Sequence, residues 1–424
     1  MMKRHYFADK QEMLGVLVVL LFLSVSPESL LVGTSSSRSM NMLSMYSPYL
    51  CLAVGAAGCA FRRIKSFGRK ELLVSTVFTM FLFLNAVFSP GETNMNNVYF
   101  HVALIIGALF VVQWTSFERM AYLFEKLMYL LAIYSLVWFA VATFSPAIIR
   151  KLPIIENSAG TRFYSAVFAN FTYYSMVDSF YLRNFGMFRE PGVYQMFLNF
   201  ALMVYLFRNW IWKRENILHV IIYIVAIATT TSTTGLVALA VLMCAFLVES
   251  NAERKRLKKW ILAAGMAVAV FAFSGYSEKL LFAITKVFDP TYDSTISRLG
   301  SIRVNLSIFL DYPLFGIGQA EIGPRFAELL NTRLSAVHNT NTVLFMYACY
   351  GIVIGSLFIA GCCGLMKRFS KDPMTVLLLC VFIIIILSGE NITNSHYAYI
   401  AMLYAFTGKE VPVREEYTSG YLCD

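Results

Sequence analysis

Apolar residues come in long blocks along this chain, and short polar segments separate one block from the next. Each block has about 16–23 residues, and at about 1.5 Å per residue a helix of that length crosses a hydrocarbon core of roughly 30 Å. The pattern therefore predicts about twelve transmembrane helices. The candidate spans are 13–33, 43–61, 71–89, 97–115, 127–149, 192–212, 216–233, 235–250, 259–276, 340–366, 374–390 and 396–408.

Composition agrees with a membrane protein. Of the 424 residues, 58% are hydrophobic and only 14% are charged, whereas a soluble domain of this length would need much more polar surface. The basic start MMKRHYFADK resembles that of a signal peptide, but SVSPESL offers no small-residue cleavage pattern. The first block is therefore interpreted as a span. We expect a polytopic membrane protein of the all-α class, with a single integral membrane domain over residues 1–424.

The lysines and arginines predict the orientation of the spans. With the N-terminus in the cytoplasm and strict alternation, 23 of the 35 Lys and Arg residues lie on the cytoplasmic side and 12 on the other side. All but one of these 12 lie in two long loops, about 150–191 and 276–339, and the positive-inside rule discounts long loops. We therefore expect both termini in the cytoplasm and both long loops on the outer face.

One apolar stretch, 215–250, is 36 residues long and has a basic cluster at each end. Both clusters belong in the cytoplasm, so the stretch must cross an even number of times, and TTTSTTG at 229–235 is the only turn signal in it. Each arm then has about 16 residues, or roughly 24 Å of helix, so the turn should lie below the outer surface. Polar backbone at that depth is tolerated only beside a watered, protein-walled cavity. For Thr229 and Thr230, hydroxyls that bond back to their own helix are an equal alternative.

The second long loop contains an amphipathic pattern. Its apolar positions recur at helical spacing and are Leu299, Ile302, Leu306, Phe309 and Leu310. This spacing predicts a helix over about 297–311 that lies along the membrane surface. Arg298 lies on its polar side, and Arg303 lies about 140° around the helix from Arg298. A plain interfacial position, with the charged ends extended into water, is an equal alternative for both arginines.

Charged residues also stand at the start of the sixth apolar block, in NFGMFREPGVYQMFLN. Pro191 suits the first turn of a helix, and Glu190 complements the positive end of the helix dipole, which alone could explain it. Arg189 is on the unfavourable side of that dipole, so it indicates a bound anion. His338 and Asn339 precede the tenth span in the same way, where a capping asparagine is the plain alternative.

These stretches resemble a known family. FREPG before a span, the TSTTG turn, and SR…DYPLFGIG followed by HN and a span with YGIVIG resemble the bacterial O-antigen polymerase (Wzy-type) and ligase superfamily. The resemblance covers the whole chain in order, and the block in the second loop is its most specific part. Ile302 stands where the family often has a tryptophan, four residues after Arg298.

The resemblance implies a GT-C-like glycosyltransferase of the bacterial inner membrane, with the two long loops in the periplasm. Its substrates would be sugars carried on undecaprenyl pyrophosphate. A polymerase joins repeat units into O antigen, capsule or exopolysaccharide, whereas a ligase passes the finished glycan to the lipid A core. FREPG looks more like the polymerase. A chain-length regulator is a further candidate partner, and neither a cofactor nor a nucleic acid is expected.

Transfer from a polyprenyl diphosphate places growing negative charge on the diphosphate. Neither long loop has a D-x-D metal motif, so arginine side chains and helix N-termini are expected to meet this charge without a metal. The expected diphosphate-binding residues are Arg298, Arg189 and Arg303. The acceptor hydroxyl needs a proton acceptor, for which His338 is the first candidate and Glu190 the second. The expected cavity-lining residues are Ser232, Thr233, Thr234, Gly235 and Asn339.

A flippase or transporter is the alternative from another class. Transporters keep ionisable residues at mid-membrane and repeat their halves. Here His101, His219 and His396 lie near the ends of predicted spans, and no Asp, Glu, Lys or Arg falls in the middle of one. The pattern therefore favours an enzyme whose chemistry takes place at the outer face.

Overall fold

The computed structural model describes residue 15 and residues 17–64, 66–91, 94–178, 182–207, 217–249, 293–330 and 339–408. Backbone alone is described at 293–296. This part of the chain is mostly helical and contains one small antiparallel sheet. The ninth predicted span, 259–276, and the candidate residue His338 lie outside the described residues.

The helices are α1 (Arg38–Met45), α2 (Ser47–Phe61), α3 (Arg69–Phe88), α4 (Met95–Trp114), α5 (Phe117–Phe144), α6 (Pro146–Ile149), α7 (Pro191–Phe207), α8 (Ile217–Thr229), α9 (Thr233–Val248), α10 (Asp293–Asp311), α11 (Ile322–Leu330), α12 (Thr342–Met366), α13 (Pro373–Gly389) and α14 (His396–Tyr404). The strands are β1 (Ile154–Glu156), β2 (Arg162–Ser165) and β3 (Asn170–Thr172). A single 3₁₀ turn, Tyr174–Met176, follows β3.

Among the described helices, four are long and apolar enough to cross a membrane, namely α3, α4, α5 and α12. The pair α1 and α2, bent by 49°, makes a fifth if it is one span. Helices α7, α8, α9 and α13 are apolar but shorter. The chain is thus a mostly helical, multi-pass membrane protein, and the total of twelve spans stays a prediction.

The first predicted span, 13–33, differs from the structure. Within the described residues its helix covers 17–25, and turns follow from Ser26 onward. Pro27 explains the change, because proline disfavours helical geometry in the residue before it. The following turn carries Glu28, whose side chain is buried.

The described part of the stretch 215–250, residues 217–249, folds as a helical hairpin. The ring of His219, near the start of α8, stacks on Tyr205, and Phe246, near the end of α9, packs on Phe207. Tyr205 and Phe207 both lie at the end of α7, so the outer limits of the hairpin meet the same end of one helix and its two arms are antiparallel. The even number of crossings inferred from the basic clusters agrees with this reversal.

The chain reverses at 230–232, where Thr231 has a left-handed φ of 48°. The hydroxyls of Thr229 and Thr230 donate to the carbonyls three residues earlier, at 2.8 and 2.6 Å. The hydroxyls of these two threonines therefore bond back to their own helix, which was the alternative to a cavity-lining role. The first long loop, about 150–191 and called loop one from here on, covers the turn, because Asn184 donates its backbone N–H to the Thr229 carbonyl at 3.0 Å. Polar backbone inside a membrane requires such a protein wall.

Helix α5 begins at Phe117, well before the predicted start at 127, because Ser116 caps it by accepting from the Arg119 N–H. This extension places Glu125 inside the helix with its side chain buried. The predicted span, 127–149, does not include Glu125. Its Oε1 lies 2.7 Å from His219 Nε2, and this pair joins α5 to α8.

Loop one carries a three-stranded antiparallel meander that the all-α prediction did not include. Tyr164 pairs with Ile154 on one side and Phe171 on the other. The Tyr134 hydroxyl of α5 donates to the Ala166 carbonyl at 2.6 Å, so the sheet packs on the end of that helix. Strands of three or four residues are too short to give a clear alternating pattern.

Helix α12 is interrupted at Gly351, which has a φ of 80°, and the segment 313–318 packs into the break. The Ile352 N–H donates to the Pro313 carbonyl at 2.9 Å, and the Gly318 N–H donates to the Cys349 carbonyl at 3.0 Å. A Cβ at Gly351 would lie 2.2 Å from the Leu314 carbonyl oxygen. The PLFGIG and YGIVIG stretches are therefore two halves of one backbone interlock, which fixes α10 against α12.

We expect Gly351→Ala to destabilise the protein strongly. The new methyl group would meet backbone atoms, and the left-handed φ alone costs about 1–3 kcal/mol in a residue with a Cβ. The measurement is thermal unfolding of the detergent-purified protein. Gly323→Ala is the control, because nothing lies within 4 Å of a Cβ at that position. Equal melting temperatures for the two variants would contradict the interlock.

Candidate active site

Three helix N-termini converge on the segment that follows α13. Gly192 of α7 packs on the Glu390 side chain, and Thr234 of α9 packs on Gly389. The Thr342 hydroxyl of α12 donates to the Glu390 carbonyl at 2.5 Å and accepts from the Ile392 N–H at 3.0 Å. The N-terminal ends of α7, α9 and α12 carry partial positive charge, so this end of the bundle favours an anion.

Arg189 is held from two sides at the start of α7. Its backbone N–H donates to the Glu28 carbonyl at 2.9 Å, and its Nη2 donates to the Asn391 carbonyl at 3.0 Å. The buried Nε has no hydrogen-bond partner among the described residues. The guanidinium is thus positioned by the protein and keeps unused donor capacity.

Glu390 is the residue around which the charged groups gather, and the sequence analysis missed it. The side chain is buried, with 7% of its surface exposed. Burial raises the pKa of this carboxyl to about 8, and the neighbouring Glu190 adds to the effect, while Arg189, Arg298 and Arg183 oppose it. The available signal was the polar break SGENITNSH between two apolar blocks.

Gly192 makes room for this carboxylate. A Cβ at Gly192 would lie 1.8 Å from Glu390 Oε1, so any other residue would push the carboxyl group away. The glycine of FREPG is therefore needed because Glu390 approaches the N-terminus of α7 closely.

Arg298 reaches the same place from α10, which packs against α12. Ser301 Oγ accepts from the Thr340 N–H at 2.9 Å, and Asn305 and Asn339 exchange two amide hydrogen bonds of 2.9 and 2.8 Å. These bonds orient the helix so that the half-buried Arg298 lies close enough to Glu390 to lower its pKa. Asn339 is therefore engaged in holding α10.

The other predicted arginine lies elsewhere. Arg303 has an exposed side chain, and the buried side chains of α10 near it, Ser301 and Asn305, face α12. The structure thus brings Arg189, Glu190 and Arg298 together and does not bring Arg303 to them. Arg183 is nearby instead, and its Nε donates to the Thr230 carbonyl at 3.0 Å and to the Thr231 hydroxyl at 2.9 Å.

Buried polar atoms with unused hydrogen-bonding capacity collect at the hairpin turn. Gly235 packs on Gln195, and the Asn199 amide donates to the Gly235 carbonyl at 3.2 Å. Ser232 Oγ, Gln195 Nε2 and Asn199 Oδ1 are buried and have no partner among the described residues. Such groups need water or a ligand, and the cavity along 232–235 stays a prediction.

An apolar cavity of about 110 Å³ adjoins the site. It begins beside Ile392 and Ser395, next to the Arg189 contact at Asn391, and extends between the helices to Phe117 and Tyr404. Its walls are almost entirely apolar, so it suits a hydrocarbon chain. Among the described residues, no group of three or more His, Cys, Asp or Glu side chains could hold a metal ion.

Comparison with known families matches residues 218–359 to the family described as O-antigen ligase. The matched part is about a third of the chain. The match runs from α8 to most of α12, so it contains the hairpin turn, Arg298 and the glycine interlock. A comparison with curated proteins finds no match.

The match confirms the resemblance to the O-antigen polymerase and ligase superfamily. The matched family implies a membrane enzyme that transfers glycosyl groups in polysaccharide or lipopolysaccharide biosynthesis. It also implies lipid-linked oligosaccharide or polysaccharide substrates in the membrane.

Proposed function

We propose that the chain polymerises oligosaccharide repeat units carried on undecaprenyl pyrophosphate into O antigen, capsule or exopolysaccharide. The observation that carries this proposal is the meeting of Arg189 and Arg298 with three helix N-termini at one end of the bundle. We place that end at the periplasmic face of the bacterial inner membrane, with both chain termini in the cytoplasm.

The arginines act on the leaving group. The acceptor hydroxyl oxygen forms a bond to the anomeric carbon of the donor sugar, and the bond from that carbon to the diphosphate oxygen breaks. The electron pair leaves with the diphosphate, whose growing charge Arg298 and Arg189 stabilise through guanidinium N–H donors. Arg303, exposed on α10, assists at most from the rim of the site.

The acceptor hydroxyl gives its proton to a protein base. His338 is the first candidate, since it precedes Asn339, which lies against α10 beside the site. Glu190 is the second candidate and has an exposed side chain. The apolar cavity of about 110 Å³ supports a lipid-linked donor, because it can hold a segment of the isoprenoid chain beside the diphosphate.

A ligase is the second candidate function, and the description of the matched family favours it. It uses the same donor and the same chemistry but transfers the glycan to the lipid A core. The geometry at Arg189 and Arg298 suits both reactions, since both release a polyprenyl diphosphate. FREPG resembles the polymerase, and on this resemblance we rank the polymerase first.

Deletion of the gene separates the two functions. We expect the deletion strain to carry single repeat units still attached to the core, because the remaining ligase would transfer the unpolymerised unit. Gel electrophoresis of extracted lipopolysaccharide and capsule measures the chain lengths, and the plasmid-borne gene should restore the long chains. A strain in which no glycan is attached to the core would instead identify the ligase. Unchanged glycans of both kinds would contradict the proposal.

A further inference from the structure

Glu390 has a fixed place among the charged groups of the site. It follows the last residue of α13, and its backbone carbonyl accepts from Thr342 at 2.5 Å. Its carboxyl group occupies the space left by the missing side chain of Gly192. The group is buried and lies at the point where the arginines converge, so it would be close to a bound diphosphate.

When Glu390 is ionised, the charges around its carboxyl group are nearly balanced before any ligand arrives. The groups that act on it are Arg183 and Arg189 from loop one, Arg298 from α10, and Glu190 beside α7. The contacting residues of the neighbouring helices are uncharged: Gly192 of α7 packs on the carboxyl group, Thr342 of α12 bonds the Glu390 carbonyl, and Thr234 of α9 packs on the adjacent Gly389. These three positive and two negative groups, with Glu390 ionised, leave one net positive charge, whereas protonation of Glu390 leaves two.

A sugar-linked polyprenyl diphosphate brings two negative charges. With both carboxylates ionised, the occupied site would carry one excess negative charge in a buried place, where such an excess is costly. A proton on one carboxylate restores neutrality. Glu390 is the better of the two for this role, because Glu190 is exposed to solvent and Glu390 is buried.

We propose that the site binds the diphosphate of the donor with Glu390 protonated, so that an ionised Glu390 must take up a proton on binding and thereby sets the affinity of the site for its substrate. The inference rests on the proposed function, since it takes the diphosphate as the ligand. The step is an acid–base equilibrium in which one proton moves from solvent to a carboxylate oxygen of Glu390. The acceptor's proton still goes to a different group, His338 or Glu190.

The sign of the effect follows from linkage. Burial and Glu190 already raise the pKa of Glu390 to about 8 in the unliganded site, and a bound anion raises it further. Below that range the group is protonated in both states, so binding takes up no proton. Above it, binding requires proton uptake, and affinity falls as pH rises. Between the pKa of the free site and that of the occupied site, the affinity falls by about tenfold for each pH unit.

The experiment is calorimetric titration of the detergent-purified full chain with farnesyl diphosphate as the probe. Titrations at pH 7 to 9.5, in two buffers of different ionisation enthalpy, give both the affinity and the number of protons taken up. We expect the wild type to take up protons above pH 8 and to lose roughly tenfold in affinity across the upper part of this range. Glu390→Gln should take up fewer protons and bind with little dependence on pH. Glu156→Gln, an exposed carboxylate on β1 paired with Arg162, is the matched control and should behave as the wild type.

Three results would overturn the inference. Wild-type affinity that does not change between pH 7 and 9.5 would overturn the inference, even if Glu390→Gln failed to fold. Equal proton uptake in the wild type and Glu390→Gln would also overturn it, while leaving the proposed function in place. If farnesyl diphosphate did not bind, or bound equally well to Arg298→Ala, the proposed diphosphate site would fail and the inference with it.

Discussion

Arg298→Ala should lower glycosyl transfer by about 100- to 1000-fold, the usual cost of removing one preorganised donor to a developing negative charge. The side chain is half-buried on α10 and lies near Glu390, where the diphosphate would bind. Because its backbone stays anchored through Ser301 and Asn305, the variant should remain folded. The measurement is the chain-length distribution of the polysaccharide in a deletion strain that expresses each variant, together with the amount of protein in the membrane.

Three further variants sharpen this test. Arg298→Lys keeps the charge but loses the planar fork that contacts two oxygens, so it should recover only part of the activity. Arg325→Ala is the matched control, since this arginine lies on α11 and pairs with Glu328 at 2.8 Å. Arg303→Ala should have a milder effect than Arg298→Ala because its side chain is exposed. Normal long chains in Arg298→Ala would remove this residue from the site.

Gly192→Ala should reduce transfer at least tenfold without loss of stability, because alanine is the better helix former by about 1 kcal/mol. The added methyl group would lie 1.8 Å from Glu390 Oε1, the end of a side chain that can turn away. The cost therefore falls on the position of the carboxylate in the site and spares the packing of α7. Transfer activity and the thermal unfolding midpoint of the same purified sample measure the two effects separately.

Gly323→Ala is the control for this second prediction. Gly323 is the second residue of α11, just as Gly192 is the second residue of α7, and nothing lies within 4 Å of a Cβ there. We expect it to leave transfer unchanged. Full activity in Gly192→Ala would show that the position of Glu390 does not matter, whereas a large drop in its unfolding midpoint would indicate a packing role.

The hairpin of α8 and α9 could be predicted because charge decides it. Basic clusters at both ends of 215–250 required an even number of crossings, and only the polar turn at 229–235 allowed a reversal. The early start of α5 could not be predicted, since FERMAYLFEK reads as a polar connection until Glu125 is seen to pair with His219. A buried partner from another helix overrides the hydropathy of the local sequence.

The site could be predicted only in part for a similar reason. Arg189 and Arg298 stand in stretches that already look unusual, at the start of an apolar block and on an amphipathic helix. Glu390 lies 200 residues beyond Glu190 in the chain, and only the packing of α7, α12 and α13 brings the two together. Arg303 had the same local signals as Arg298, but the contacts of α10 place it on the exposed side.

Reconstitution of the purified chain with undecaprenyl-pyrophosphate-linked repeat units tests the central claim most directly, with products separated by gel electrophoresis. The account predicts a ladder of products that grows by one repeat unit at a time and is absent with Arg298→Ala. A donor that stays unchanged, both alone and with a lipid A core acceptor added, would contradict glycosyl transfer at this site.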